Sequence, residues 1–157
     1  LYGATGGKIF AAGTAGERFA VRNSGTIAVL EGSGDNACEY MTGGIVAILG
    51  STGVNFGAGM TGGFAYVLDK TEDFLDRINQ ESVDAVNLSD LVIHQEHLRG
   101  LIAEHLEETG SSYAETILAN FDEWIPKFRL VKPKASDVNT LLGHQSRSAA
   151  ELRVQVQ

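Results

Sequence analysis

Three observations predict a mainly β chain: a parallel β-helix with a repeat of about 19 residues, followed by a C-terminal helical segment. The first is a fixed step. Gly25-Thr26-Ile27-Ala28-Val29-Leu30 recurs nineteen positions on as Gly44-Ile45-Val46-Ala47-Ile48-Leu49 and again as Gly63-Phe64-Ala65-Tyr66-Val67-Leu68. The second is a repeated tetrapeptide, Met41-Thr42-Gly43-Gly44 and Met60-Thr61-Gly62-Gly63. The third is a composition break. Sixteen of the nineteen glycines lie in residues 1–69, and only Gly100, Gly110 and Gly143 lie beyond.

The elements follow in order. Residues 1–69 are read as Gly-rich coils, with β-type runs at 8–11, 18–21, 26–30, 45–49 and 64–68. These runs are β-branched or aromatic, and turn residues bound them. A repeat of this length cannot hold a strand with a crossover helix, since such a unit needs about 30 residues. It can hold short strands with Gly corners. Matching strands of successive coils then stack about 4.8 Å apart. The common step puts Val29, Ile48 and Val67 in one internal ladder, and Leu30, Leu49 and Leu68 in a neighbouring ladder on the opposite face. One face fills the coil, and the other must be covered by something else.

Residues 70–157 are read as a helical cap and C-terminal tail of the same domain. Residues 72–78 suit a short helix, and the next piece reads as extended. Ser89-Asp90 is an N-cap signal and Gly110 a C-cap signal. Between them Leu91, His94, Leu98, Leu101, Ile102 and His105 form one helical stripe. Ser112 to Glu115 reads as a capping box opening a second helix with Tyr113, Ile117, Leu118 and Phe121 inward. Phe128 to Val131 is a short extended run, and Ser148 to Leu152 a possible last helix or tail on a neighbour.

Charge and cysteine narrow the function. Net charge is −8, with three basic and five acidic side chains in residues 1–69 and nine and fifteen in 70–157. That balance argues against nucleic acid or an anionic membrane as partner. No apolar run approaches the roughly 20 residues of a membrane span. The single Cys38 offers no internal disulfide and reads as a small buried residue in a cytoplasmic protein.

The motifs that could carry chemistry read as structure. Gly32 to Ala37 and Gly57 to Gly62 imitate a dinucleotide fingerprint, but glycine pairs close both windows before a helix can start. His94, Glu96, His97 and His105 lack metalloprotease spacing, and His94 and His105 stand about 16 Å apart along a helix. They read as half-buried histidines bonded to backbone. Asp35, Asn36, Glu39 and Tyr40 form a polar corner, and the repeat of Asn36 at Asn55 reads as a side-chain ladder. Lys127, Arg129, Lys132 and Lys134 form a modest basic segment. The expected catalytic, cofactor-binding and metal residues are therefore none.

The stretches 16–25, 31–44 and 53–63 resemble the C-terminal GXGXG domain of the large (alpha) subunit of glutamate synthase. Gly50, Gly53 and Gly57 fit its glycine pattern, and 97–102, 130–134 and 146–153 extend the likeness across the chain. The resemblance implies a right-handed parallel β-helix. It implies a parent oxidoreductase of glutamate biosynthesis and nitrogen assimilation, making two glutamates from glutamine and 2-oxoglutarate. FMN and an iron–sulfur cluster would sit in upstream domains of the same polypeptide. The chain's end implies a separate small (beta) NADPH-oxidising subunit. This segment is expected to be a structural scaffold packing the amidotransferase and FMN/iron–sulfur domains, inactive alone and self-associating. The alternative is a free-standing β-helix interaction module, or a subunit of another GXGXG-containing oxidoreductase such as formylmethanofuran dehydrogenase.

Overall fold

A computed structural model describes residues 2–142. The expected elements over 148–152, the stretch 146–153, Gly143 and His144 lie outside the described residues. Four parallel strands form one after another: β1 (Lys8–Thr14), β2 (Ser24–Gly32), β3 (Thr42–Ile48) and β4 (Gly62–Leu68). Each begins one coil of the solenoid, as the repeat predicts. The sheet continues past the glycine-rich region. β5 (Val83–Asn87) and β6 (Phe128–Pro133) add antiparallel strands, giving the order β1-β2-β3-β4-β6-β5. Between β5 and β6 lie α1 (Val92–Thr109), α2 (Ser112–Ala119) and the short α3 (Phe121–Trp124).

The register corrects the expected ladders. Strand bodies pair nineteen apart between β1 and β2 (Ala28 over Ile9) and between β3 and β4 (Val67 over Ile48), but eighteen apart between β2 and β3 (Ile48 over Leu30). The cause is local. Gly25 and Thr26 occupy the space between paired positions where β3 has Gly44 alone. Side chains alternate faces, so one residue of slip exchanges them. Leu30, Ile48 and Val67 therefore form the interior ladder, and Val29, Ala47 and Tyr66 face outward.

Both faces are buried, which explains why the strands read as continuous apolar runs. Inside the coil, Val46, Ile48, Ala65 and Val67 pack with Ala20, Ala37, Cys38, Met41, Phe56 and Phe74. Outside, Val29, Ile45, Ala47, Phe64 and Tyr66 pack under Leu98, Leu101, Ile102, Ile117 and Phe121 of the helices.

Three expected local structures differ. Residues 18–21 form a turn. Arg18, Ala20 and Arg22 have φ of 58°, 60° and 57°, and the pattern recurs at Asn36, Cys38 and Tyr40 and at Asn55, Gly57 and Gly59. Each coil thus turns on alternate left-handed residues, and the coils still bond to one another there: Cys38 N donates to Phe19 O and Gly57 N to Ala37 O. Ser89 and Asp90 do not cap α1. Its N-cap position is Leu91, without a side-chain bond, and Gln95 Nε2 instead donates to the carbonyls of Leu88 and Ser89. The cap of α2 is Ser111, one residue before the expected Ser112, and its hydroxyl accepts from Ala114 N. The left-handed Gly110 ends α1 as its sequence predicts.

Close backbone approach explains the glycine columns. A Cβ on Gly43 would lie 2.3 Å from Ser24 O, and one on Gly53 would lie 2.5 Å from Asp35 N.

Candidate functional site

The outer face of β4 meets α1 through a polar cluster. Tyr66 is fully buried, and a buried tyrosine hydroxyl needs a partner. It finds two. Its Oη lies 2.9 Å from His94 Nδ1 and 2.8 Å from His97 Nδ1. His94 Nε2 reaches the Val138 carbonyl at 3.3 Å. Phe64 closes the cluster, edge-on to His94 with ring centroids 5.5 Å apart. Burial holds His97 down at about 4, with the nearby His94 adding to the effect. Burial also lowers His94, against the opposing pull of the Val138 carbonyl, and pushes Tyr66 up. Neutral imidazoles at neutral pH follow.

The backbone-bonded reading fits His94. It misses the role of His97 as the second partner of Tyr66. The signal was available: positions three apart on a helix share a face, and His97 stands three after His94.

His105 departs further from that reading. It is fully buried, and its Nε2 lies 3.5 Å from Glu31 Oε2 without a hydrogen bond; both ring nitrogens and that oxygen lack a hydrogen-bond partner among the described residues. The other oxygen of Glu31 accepts from Ser111 Oγ at 2.8 Å. One side chain at the end of β2 thus holds the cap of α2 and lies beside the last turns of α1. The ring of Phe10 lies beside His105 with centroids 6.2 Å apart.

The remaining candidates stand apart from these groups. Asn36, Asn55 and Asn79 form a surface ladder, with Asn55 Nδ2 donating to Asn36 and Asn79 Nδ2 to Asn55 at 2.9 and 3.0 Å. The expected two-rung ladder therefore has a third rung in the next turn of chain. Asp35 accepts from Val54 N. Glu39 is half-buried and Tyr40 exposed. Cys38 lies in the interior, where burial pushes its thiol up to about 12, so it stays protonated. Lys132 and Lys134 both face Asp84, whose carboxyl is held low first by the Lys134 hydrogen bond. Lys127 lies over the Trp124 ring, and Arg129 donates to the Pro126 and Phe128 carbonyls. No helix follows Gly32 or Gly57, so the helix N-terminus that a dinucleotide fingerprint needs is not formed there.

Two grooves flank the outer face. One of ≈ 920 Å³ crosses the starts of the parallel strands, from Lys8 over Gly25, Gly43 and Gly62 to Ser136 and Leu141. The other, of ≈ 600 Å³, lies between the start of α1 and the 138–142 stretch, under Leu91, Ile93, His94 and Val138. Val92 and Ile93 stand exposed at its rim. No three His, Cys, Asp or Glu side chains gather as a metal site among the described residues. No described helix is long and apolar enough to cross a membrane.

Comparison with known proteins places this architecture. The GXGXG motif family model matches residues 1–134. Ferredoxin-dependent glutamate synthase of Spinacia oleracea chloroplasts is 51% identical over 138 residues, covering 87% of this chain and 8% of that protein. Glutamate synthase [NADH] of Schizosaccharomyces pombe is 55% identical over 134 residues, covering 85% and 6%. The glutamate synthase [NADPH] large chain of Azospirillum brasilense is 53% identical over 134 residues, covering 85% and 9%. The chain thus spans less than a tenth of these relatives. With a stacked-coil sheet, left-handed turns and glycine columns in the region matched, the chain belongs to the GXGXG motif family, as a relative of one segment of glutamate synthase chains.

Proposed function

We propose that this chain is the C-terminal scaffold domain of a glutamate synthase large chain, holding the amidotransferase and FMN/iron–sulfur domains of the parent together without chemistry of its own. Residues 1–69 supply the coils, and 70–157 cap them within the same domain. The observation that carries this reading is the pairing of close identity with functional variety. The relatives' names specify ferredoxin, NADH and NADPH as donors, yet each is more than half identical to this chain over the matched span. A segment shared so evenly does not read the donor. Several of its buried polar groups also have structural partners: His94 and His97 hold Tyr66, and Glu31 holds Ser111. The Gly-rich turns are closed by neighbouring backbone, as at Gly53 under Asp35, which leaves no cradle for a phosphate there.

For the parent we carry FMN, an iron–sulfur cluster, a small NADPH-oxidising partner subunit and a cytoplasmic location as parts of the same proposal. Self-association of the isolated chain belongs to the proposal too. Among the described residues β1 pairs on one side only and is largely exposed, so its free edge is a template for another strand. Light scattering at rising concentration reads this directly, and a strictly monomeric species would count against it.

The deciding experiment assays the 157-residue chain for glutamine hydrolysis and flavin binding, beside its full-length parent. We expect neither signal in the chain alone. In the parent, disturbing the scaffold should lower glutamate formation together with flavin retention and thermal stability. Glutaminase activity or bound flavin in the isolated chain overturns the scaffold reading.

A further inference from the structure

The Tyr66 cluster has a direction. His94 Nε2 lies 3.3 Å from the Val138 carbonyl, and a carbonyl only accepts, so Nε2 carries the proton. A neutral imidazole has a single N–H, so His94 Nδ1 is bare and accepts from the Tyr66 hydroxyl at 2.9 Å. That contact uses the only proton of Tyr66. Its oxygen must therefore receive from His97 Nδ1 at 2.8 Å, which fixes His97 as the Nδ1–H tautomer with a bare Nε2.

We propose that this one-way chain, from His97 through Tyr66 and His94 to Val138, is an acid-released clamp seating the start of α1 and the 134–142 stretch on β4. One added proton goes to His97 Nε2 and leaves every bond of the chain in place. A second goes to His94 Nδ1. Two N–H groups then face one oxygen, the Tyr66 proton has lost its acceptor, and two imidazoliums confront each other. The clamp opens on that second proton.

Among the described residues the surroundings supply no hydrogen-bonded carboxylate to hold either added proton. β4 contributes Tyr66 and the apolar Phe64. On α1, Glu96 is exposed, and Arg99 is turned toward Asp122 and the Phe121 ring. Asp90 lines the groove below His94. In the 134–142 stretch, the Asp137 carboxylate accepts from Asn139 N, and Lys134 is engaged by Asp84. None of these carboxylates is hydrogen-bonded to either imidazole ring. Burial keeps both rings proton-poor in the docked state, so protons favour undocking. The stretch that would lift separates the two grooves: Ser136 and Leu141 line the larger, and Val138 and Leu142 the smaller. Opening would merge them.

Long-range nitrogen–proton NMR of the histidine-labelled 157-residue chain at pH 7 reads the tautomers directly. The expected result is Nε2–H for His94 and Nδ1–H for His97. His97 found as Nε2–H overturns the proposal. Tyr66→Phe keeps the ring and removes the relay. His97 should then lose its Nδ1–H form, and acid opening, followed by hydrogen exchange over 92–99, should move to higher pH. An unmoved His97 tautomer overturns the proposal. Should Tyr66→Phe fail to fold, His97→Asn keeps an N–H donor near the Nδ1 position and removes one titration. The pH slope of opening should fall from two protons to one, and an unchanged slope overturns the clamp.

Discussion

The two faces of the sheet are filled by opposite means. Inside the coil, equivalent strand positions repeat with side chains of similar size, as in the Leu30, Ile48 and Val67 ladder. Ala20 and Cys38 occupy equivalent turns, and Ala28, Val46 and Ala65 stack through successive strands. Outside, the size changes along the stack. Ile27 and Ile45 lead to Phe64, and Val29 and Ala47 lead to Tyr66. The bulk grows toward β4 because the start of α1 docks there. The interior is a repeat problem, solved by backbone spacing. The exterior is a single packing problem, solved by particular side chains. The inner face should therefore respond most to backbone crowding, and the outer face to lost volume.

The largest expected effect tests the outer face. Phe64 is fully buried between the sheet and both imidazoles. Phe64→Ala should cost about 4 kcal/mol, the usual scale for emptying a buried aromatic site. Denaturant unfolding of the chain measures it. The same truncation at Ile27, at the thin end of the outer row and only partly buried, should cost clearly less. Equal costs would dissolve the contrast along the outer face.

Gly43→Ala tests the backbone side. The new methyl would sit 2.3 Å from Ser24 O, and a neighbouring coil's carbonyl cannot swing aside as a side chain can. A loss of about 3 kcal/mol is expected, at the upper end of ordinary overpacking. Gly100→Ala is the control. It lies inside α1 with open space around it, so it should stabilise by about 0.5–1 kcal/mol.

Acid separates the faces next. His94 and His97 have lowered pKa values, so the unfolded chain binds protons that the folded chain does not. Stability contributed by the neutral rings is complete above the ordinary histidine value of 6.5. It is lost as pH falls from there toward about 4. Allowing for solvent screening of the partly exposed His97, the loss should be on the order of 1–2 kcal/mol. His97→Gln removes one titration and should flatten this slope. The buried groups of the inner cluster include no histidine, so the loss should be felt first at α1.

The legibility of the chain divides along the same line. The repeat revealed the parallel strands, because coil spacing forces period onto sequence, and the lone Cys38 was readable as buried from its residue type. It misplaced the ladders because Gly25 and Thr26 oppose a single Gly44, and a one-residue slip leaves the overall period nearly unchanged. The turn at 18–21 read as a strand because its composition is β-like. Only its backbone angles, in step with Asn55, Gly57 and Gly59, show otherwise. The helical stripe was readable, including His94 and His105. Their partners were not, since Tyr66, Glu31 and Val138 lie 28, 74 and 44 positions away in sequence. Capping signals failed by one or two residues where another group filled the role. Ser111, engaged by Glu31, caps α2, and Gln95 serves the Leu88 carbonyl ahead of α1.

The smallest expected effect has the opposite sign. Arg22 is exposed and holds φ of 57°, matching Tyr40 and Gly59 in the next two coils. An L-residue in that region carries a steric cost that glycine does not. The substitution Arg22→Gly relieves it but gives the unfolded chain more freedom and removes the contact of the guanidinium with the Tyr2 ring. The contact is weak at an exposed site, about 0.5 kcal/mol. The backbone gain should prevail slightly, leaving the variant between neutral and about 0.5 kcal/mol more stable. Most glycine substitutions destabilise, so the sign is informative. A loss above 1 kcal/mol in denaturant unfolding would mean that the left-handed turn is held by its side chains. Glycine in the third coil would then be a local solution and not the rule for the stack.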